Sequence, residues 1–143
     1  MARIKIEIPS QWLYSFKLQI RVTDLNYGNH LANEKVLSFA QEARVQFLKH
    51  YHASEIEFFG TSLIQGDAAI EYKSEGFLGN EIEIKVGVYD LSNSSFDFVY
   101  EMTNTTTQKP LALAKTRMVC FDYSNRKVTV VPNKFKELVT AME

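Results

Sequence analysis

The sequence predicts an α+β fold, an antiparallel sheet wrapped around one long helix. Two observations carry this. From Gly60 onward the chain is strand-like almost without a break, with short polar turns between the runs. Before that lies one long stretch of helical period, Asn33 to Tyr51, whose apolar stripe cannot be left in water. The concave face of a curved sheet is the surface available to cover it.

The elements follow in order. Phe16 to Val22 alternates, with Phe16, Leu18, Ile20 and Val22 on one face and Lys17, Gln19 and Arg21 on the other, the period of a half-buried strand. This β-type run stops at Thr23. A polar turn with Asp24, Asn26, Gly28, Asn29 and His30 comes next. In the helix, Val36, Ala40, Ala43 and Phe47 fall at spacings of four, three and four, and Leu37 and Leu48 widen the stripe. Asn33 is the expected N-cap, with Glu34 favourable in the first turn. Ser54 to Phe59 reads as a short helical turn.

Thr61 to Ser74 is β-rich, and Gly76 and Gly79 bracket a turn. Glu81 to Tyr89 alternates through Ile82, Ile84, Val86 and Val88, and Ser95 to Met102 through Phe96, Phe98, Tyr100 and Met102. Ser92 to Ser94 supplies the hairpin between them. Thr103 to Gln108 makes the next turn. Lys109 to Tyr123 is a long strand with Pro110 at its start, where proline is tolerated. Pro132 precedes a terminal helix, Asn133 to Ala141. Consecutive late strands joined by short turns are expected to pair antiparallel.

Composition bounds the function. With 143 residues, one domain over 1–143 is the natural count, and 45% apolar with 23% charged residues describes an ordinary globular chain. A net charge of −1, without a basic cluster, excludes the electrostatic footprint of a nucleic-acid binder. No apolar run is long enough to span a membrane. A single cysteine, Cys120, allows no internal disulfide and no CxxC metal site, which suits a reducing compartment and points to the cytoplasm. No glycine-rich phosphate loop or nucleotide fingerprint is present, so no cofactor is expected.

The chemistry-bearing residues concentrate between Asp24 and Glu42. A strand-to-helix junction presents side chains and free backbone N–H groups to a ligand, and the helix dipole favours negative charge there. Asp24 is the carboxylate nearest the turn, a candidate base or nucleophile, and equally fits an Asx-turn ending the strand. Asn26 can orient a water or a carbonyl but cannot take a proton. His30 is a candidate general base or oxyanion donor. Glu42 lies off the apolar stripe, on a solvated face unless a second subunit covers it. His50 and His52 read as surface residues, and with His30 they do not make a metal site. Arg44 is expected to pair with a nearby carboxylate. Cys120 sits at an alternating strand position, as a buried inert thiol.

These residues resemble the hotdog-fold acyl thioesterases of the 4-hydroxybenzoyl-CoA thioesterase type. That family shows an aspartate, a glycine–histidine turn, an asparagine, and a helix ending in Glu-Ala-Arg. The matching residues are Asp24, His30, Asn33 and Glu42-Ala43-Arg44, with the glycine displaced to Gly28 and Asn29 between it and the histidine. The stretch Gly76 to Glu81 is similar to the turn before that fold's third strand. Two acid positions depart from the pattern. The usual catalytic aspartate, four residues before the histidine, is Asn26 here. An acid that a third branch carries on the helix, one residue before Glu42, is Gln41. Asp24-Leu25-Asn26 is also similar to the Asp-Leu-Asp of plant acyl-carrier-protein thioesterases, again with an amide in the second place.

The resemblance implies hydrolysis of an acyl-CoA or acyl-carrier-protein thioester without metal or bound cofactor, by a homodimer or tetramer with sites between subunits. Asp24, Asn26, His30 and Glu42 would carry catalysis. Gly28, Asn29, Leu31, Asn33, Phe58 and Phe59 would meet the substrate, the two phenylalanines as a wall of the acyl pocket. The same fold also admits two other functions, non-hydrolytic binding of an acyl thioester, and its hydration or dehydration.

Overall fold

The computed structural model describes residues 3–141. Six strands in this range form one antiparallel sheet: β1 (Tyr14–Gln19), β2 (Ser62–Tyr72), β3 (Glu81–Tyr89), β4 (Ser95–Asn104), β5 (Lys109–Asp122) and the short β6 (Lys127–Val128). The spatial order is β1-β3-β4-β5-β2, with β6 paired to β5. Helix α1 (Lys35–His50) packs on one face, against β1, β3 and β5. Helix α2 (Asn133–Ala141) closes one end. This is the predicted sheet wrapped round a helix.

The alternating runs do what their period dictates. Ile82, Ile84 and Val86 of β3, and Phe96, Phe98, Tyr100 and Met102 of β4, are fully buried on the helix side. The α1 stripe Val36, Ala40, Ala43 and Phe47 meets them, widened by Phe39 and Leu48. Leu37 is exposed rather than part of the stripe. The helix starts at Lys35, and the residue before it, Glu34, makes no side-chain cap; Asn33 is not the N-cap. The first strand stops at Gln19, short of Val22, which is 70% exposed. Ser54 to Phe59 is bends and an isolated bridge, Phe58 with Thr61, instead of helix.

β2 does not neighbour β3. It crosses the sheet and pairs with β5 from Ser62↔Phe121 to Tyr72↔Ala112, interrupted by a bulge between Gln65 and Asp67. Adjacency holds for β3–β4 and β4–β5, where the turns are too short for anything else. The crossover brings the end of β2 and the loop after it beside the start of β5 and the head of α1.

Two further features matter below. Arg44, 5% exposed, lies between α1 and the sheet. Its Nη1 donates to the Tyr100 hydroxyl at 3.0 Å, which is 2.8 Å from the Thr116 hydroxyl, and its Nε is 3.4 Å from a Glu55 oxygen. The expected carboxylate partner is therefore Glu55. On the opposite, outer face of the sheet runs the segment before β1. The Ile6 N–H donates to Glu71 of β2 at 2.9 Å, and the Ile6 side chain packs on Val99 and Leu113. Gly87 of β3 leaves room for the arm's next turn: a Cβ there would stand 2.6 Å from Pro9 Cγ and 3.0 Å from the Gln11 carbonyl.

Candidate active site at the head of the long helix

The chain leaves β1 into a 3-10 turn, Val22–Asp24. Asp24 is 1% exposed and faces back into that turn. One carboxylate oxygen accepts the Arg21 backbone N–H at 2.8 Å, and the other lies 3.3 Å from Arg21 Nη2. The hydrogen bond that the guanidinium donates to Asp24, then the carboxylate's charge, raises Arg21 above its ordinary value. The carboxylate is thus a clip on the turn. A base or nucleophile must reach a substrate atom, and both oxygens of Asp24 already have partners.

A tight loop follows. Leu25 bridges Leu31, the Asn26 N–H donates to the His30 carbonyl at 2.9 Å, and the Asn29 N–H donates to the Asn26 carbonyl at 3.0 Å. Asn29 takes φ 63°, where asparagine is the best tolerated residue after glycine. Asn26 Oδ1 accepts the Gly28 N–H at 2.8 Å. That bond fixes the amide, so its Nδ2 is the atom facing His30 Nδ1, at 3.5 Å. His30 Nδ1 lies equally 3.5 Å from the Leu31 carbonyl, so this ring nitrogen can accept from the amide or donate to that carbonyl, and the half-buried ring offers an N–H or a lone pair at Nε2 accordingly.

The N–H groups of Gly28, Asn29, Leu31 and Ala32 are all engaged within the loop or with its neighbours. The free backbone N–H groups expected at this junction therefore reduce to the helix head. There, among the described residues, the N–H groups of Asn33 and Glu34 have no acceptor, as the first turn of a helix requires.

The loop borders a cleft of about 320 Å³, near the lower bound for small-molecule sites. Its apolar floor is Leu31, Val36, Gly76 and Leu111; His30 and Asn33 stand on its polar rim. The Leu31 N–H donates to the Gly76 carbonyl at 2.8 Å, which ties the loop to the segment after β2. That segment adds a carboxylate absent from the predicted set: Glu75 also lines the cleft. Its only sequence signal is a position just before a glycine at the end of a strand.

The other predicted residues lie elsewhere. Glu42 is exposed and accepts a hydrogen bond from Gln46 at 2.9 Å; its charge reaches Arg21, but it does not line the cleft. Phe58 is wholly buried and Phe59 half-buried, packed with Phe135 at the opposite end of the sheet. Ser62, just after them, pairs with Phe121, which is ten positions from the cleft residue Leu111 on β5, roughly 30 Å at strand rise. These phenylalanines close the core and do not wall this cleft. Cys120 is buried, and that burial pushes its thiol up to about 11, against a small opposing effect of Lys136.

Comparison with known proteins agrees with this architecture. The family model described as the thioesterase-like superfamily matches residues 20–139. Comparison with curated proteins finds no sequence match. Among solved structures, a 1,4-dihydroxy-2-naphthoyl-CoA thioesterase from Synechocystis superposes with a TM-score of 0.80 at 19% identity, covering 89% of this chain and 95% of that one. A probable thioesterase from Escherichia coli gives 0.76 at 19% identity over 90% and 97%. A Staphylococcus aureus protein solved in complex with CoA gives 0.81 at 14% identity over 96% and 87%. Among the described residues no helix is long and apolar enough to cross a membrane.

Proposed function

Since the chain belongs to the thioesterase-like superfamily, we propose that it hydrolyses acyl thioesters, with acyl-CoA as the first class to test, in the cleft at the head of α1. One observation carries the proposal. His30, its ring held against Asn26, stands on the rim of an apolar-floored cleft beside the unbonded N–H of Asn33. Hydrolysis needs donors for the developing oxyanion and an apolar seat for the acyl group, and this place offers both. The CoA-bound structural neighbour supports a CoA thioester over other carriers.

Asp24 enters this proposal as the residue that shapes the loop, and Asn26 as the one that orients the histidine. Gly28 and Asn29 form the turn that makes both possible. A homodimer is part of the proposal. β2 lies at the end of the strand order and its middle, Gln65 to Ala68, is exposed, an edge suited to pairing with a second copy. Such a copy is what would bring a substrate to Glu42.

The test is thiol release from short to long acyl-CoA thioesters and benzoyl-CoA. We expect turnover that falls at least ~100-fold in His30→Ala, the size of a lost oxyanion donor. Non-hydrolytic binding is the second reading, favoured by the amide at Asn26 and by Asp24 being held in its turn. Saturable acyl-CoA binding with no thiol released would establish that reading instead. Hydration of an enoyl-CoA without thiol release would establish the third.

A further inference from the structure

We propose that Glu75 is the base that activates the hydrolytic water, an assignment that rests on the thioesterase reading above. Among the described residues lining the cleft, it is the one carboxylate, and it shares the cleft with His30. Its side chain is exposed and, among the described residues, makes no hydrogen bond or ion pair, so it is free to accept a proton. The carboxylates predicted from the chain are not: Asp24 is clipped to Arg21, and Glu42 lies outside the cleft.

The backbone holds Glu75 in place although its side chain is free. On one side the Ser74 hydroxyl donates to the Pro110 carbonyl at 2.6 Å, and the Lys73 N–H donates to the Leu111 carbonyl at 2.9 Å. On the other, the Gly76 carbonyl accepts the Leu31 N–H. Glu75 and His30 are thus the residues immediately before the two ends of one backbone hydrogen bond. Gly76 permits this approach. A Cβ there would stand 2.6 Å from Ile20 Cδ1, 3.3 Å from Leu111 Cδ1 and 3.5 Å from Leu31 Cβ.

The step balances without further groups. Glu75 takes a proton from water as the water oxygen bonds to the thioester carbon. The carbonyl electrons move to oxygen, facing the Asn33 N–H and, in the tautomer protonated at Nε2, the His30 ring. The carbon–sulfur bond then breaks with its electron pair on sulfur, and the proton on Glu75 passes to the thiolate. The products are the carboxylic acid and the thiol.

The experiment is thiol release by wild type, Glu75→Gln, Glu75→Asp and Glu75→Ala, on the best acyl-CoA substrate found for wild type, with and without added formate. We expect Glu75→Gln to lower kcat ~100-fold or more with KM within about threefold, in line with a lost general base. Glu75→Asp should retain more activity than Glu75→Gln. Formate should restore part of the kcat of Glu75→Ala, which separates a missing base from a misfolded variant. Glu75→Gln keeping more than about a tenth of wild-type kcat, or no formate rescue of an inactive Glu75→Ala, overturns the assignment and leaves the hydrolase reading standing. No thiol release by wild type overturns both.

Discussion

Replacing Tyr100 by phenylalanine tests how the buried charge of Arg44 is held between helix and sheet. Arg44 is 5% exposed, and Tyr100 and Glu55 are its two partners. Burial works to lower its pKa, but the Tyr100 hydrogen bond and the Glu55 charge outweigh burial and raise it, so the guanidinium stays charged. Tyr100→Phe keeps the ring and removes the hydroxyl. It deletes a hydrogen bond to a charged group, about 1.5–3 kcal/mol, and costs Thr116 its partner. We expect a loss of about 3 kcal/mol, which at about 2.1 cal/mol/K per residue lowers Tm by roughly 10 °C. Urea unfolding of wild type, Tyr100→Phe, Arg44→Met and the double variant measures it. Removing both partners is nearly neutral beside orphaning one, so the double variant should cost well under the sum of the singles. A Tyr100→Phe loss below about 0.5 kcal/mol, or strict additivity in the double, refutes the argument.

Three other outcomes follow from the same geometry. Gly76→Ala should cost about 1–3 kcal/mol by overpacking against Ile20 and should also reduce turnover, since the new methyl sits on the cleft floor; calorimetry and the thiol assay together check it. Glu71 is held below its ordinary value of 4.5, first by the Ile6 N–H and then, against a small effect of burial, by Lys73. A depressed carboxylate stabilises fully above its unfolded pKa and loses that contribution as pH falls through the folded one. The arm should therefore be held at neutral pH and loosen only as pH falls below 4.5 through the lowered folded value, seen as a red shift of Trp12, the chain's single tryptophan. Cys120, with its thiol at about 11 rather than 9.0, should react with disulfide reagents at pH 8 about a hundredfold more slowly than an ordinary thiol, and faster once urea unfolds the chain.

Periodicity made the frame of this fold legible. β3 and the terminal helix fall on the residues their patterns predict, because each has one buried face and one clear stop. The turn that carries the candidate site was legible as a turn, since Asn26, Gly28, Asn29 and His30 cannot be read as strand or helix. Asp24 shows where local inference fails. A carboxylate before a polar turn suits a base and a turn clip equally, and Arg21, three residues earlier, decides between them only in three dimensions. Glu75 was out of reach for another reason. It enters the cleft from 45 residues beyond His30, through the β2 crossover that adjacency of strands does not anticipate. Phe58 and Phe59 could not be placed from sequence because aromatic side chains serve a core and a pocket alike, and the length of β5 sets them apart from the cleft at the helix head.

The arm over the outer face of the sheet restricts how copies of this chain can assemble. Ile6 and Pro9 are buried there, and the lack of a side chain at Gly87 leaves room for Pro9 and Gln11. Two sheets cannot stack back to back across that surface while it is occupied. Lateral pairing along the border of β2 would need no such eviction, and the Glu71–Ile6 bond that holds the arm in place weakens in acid.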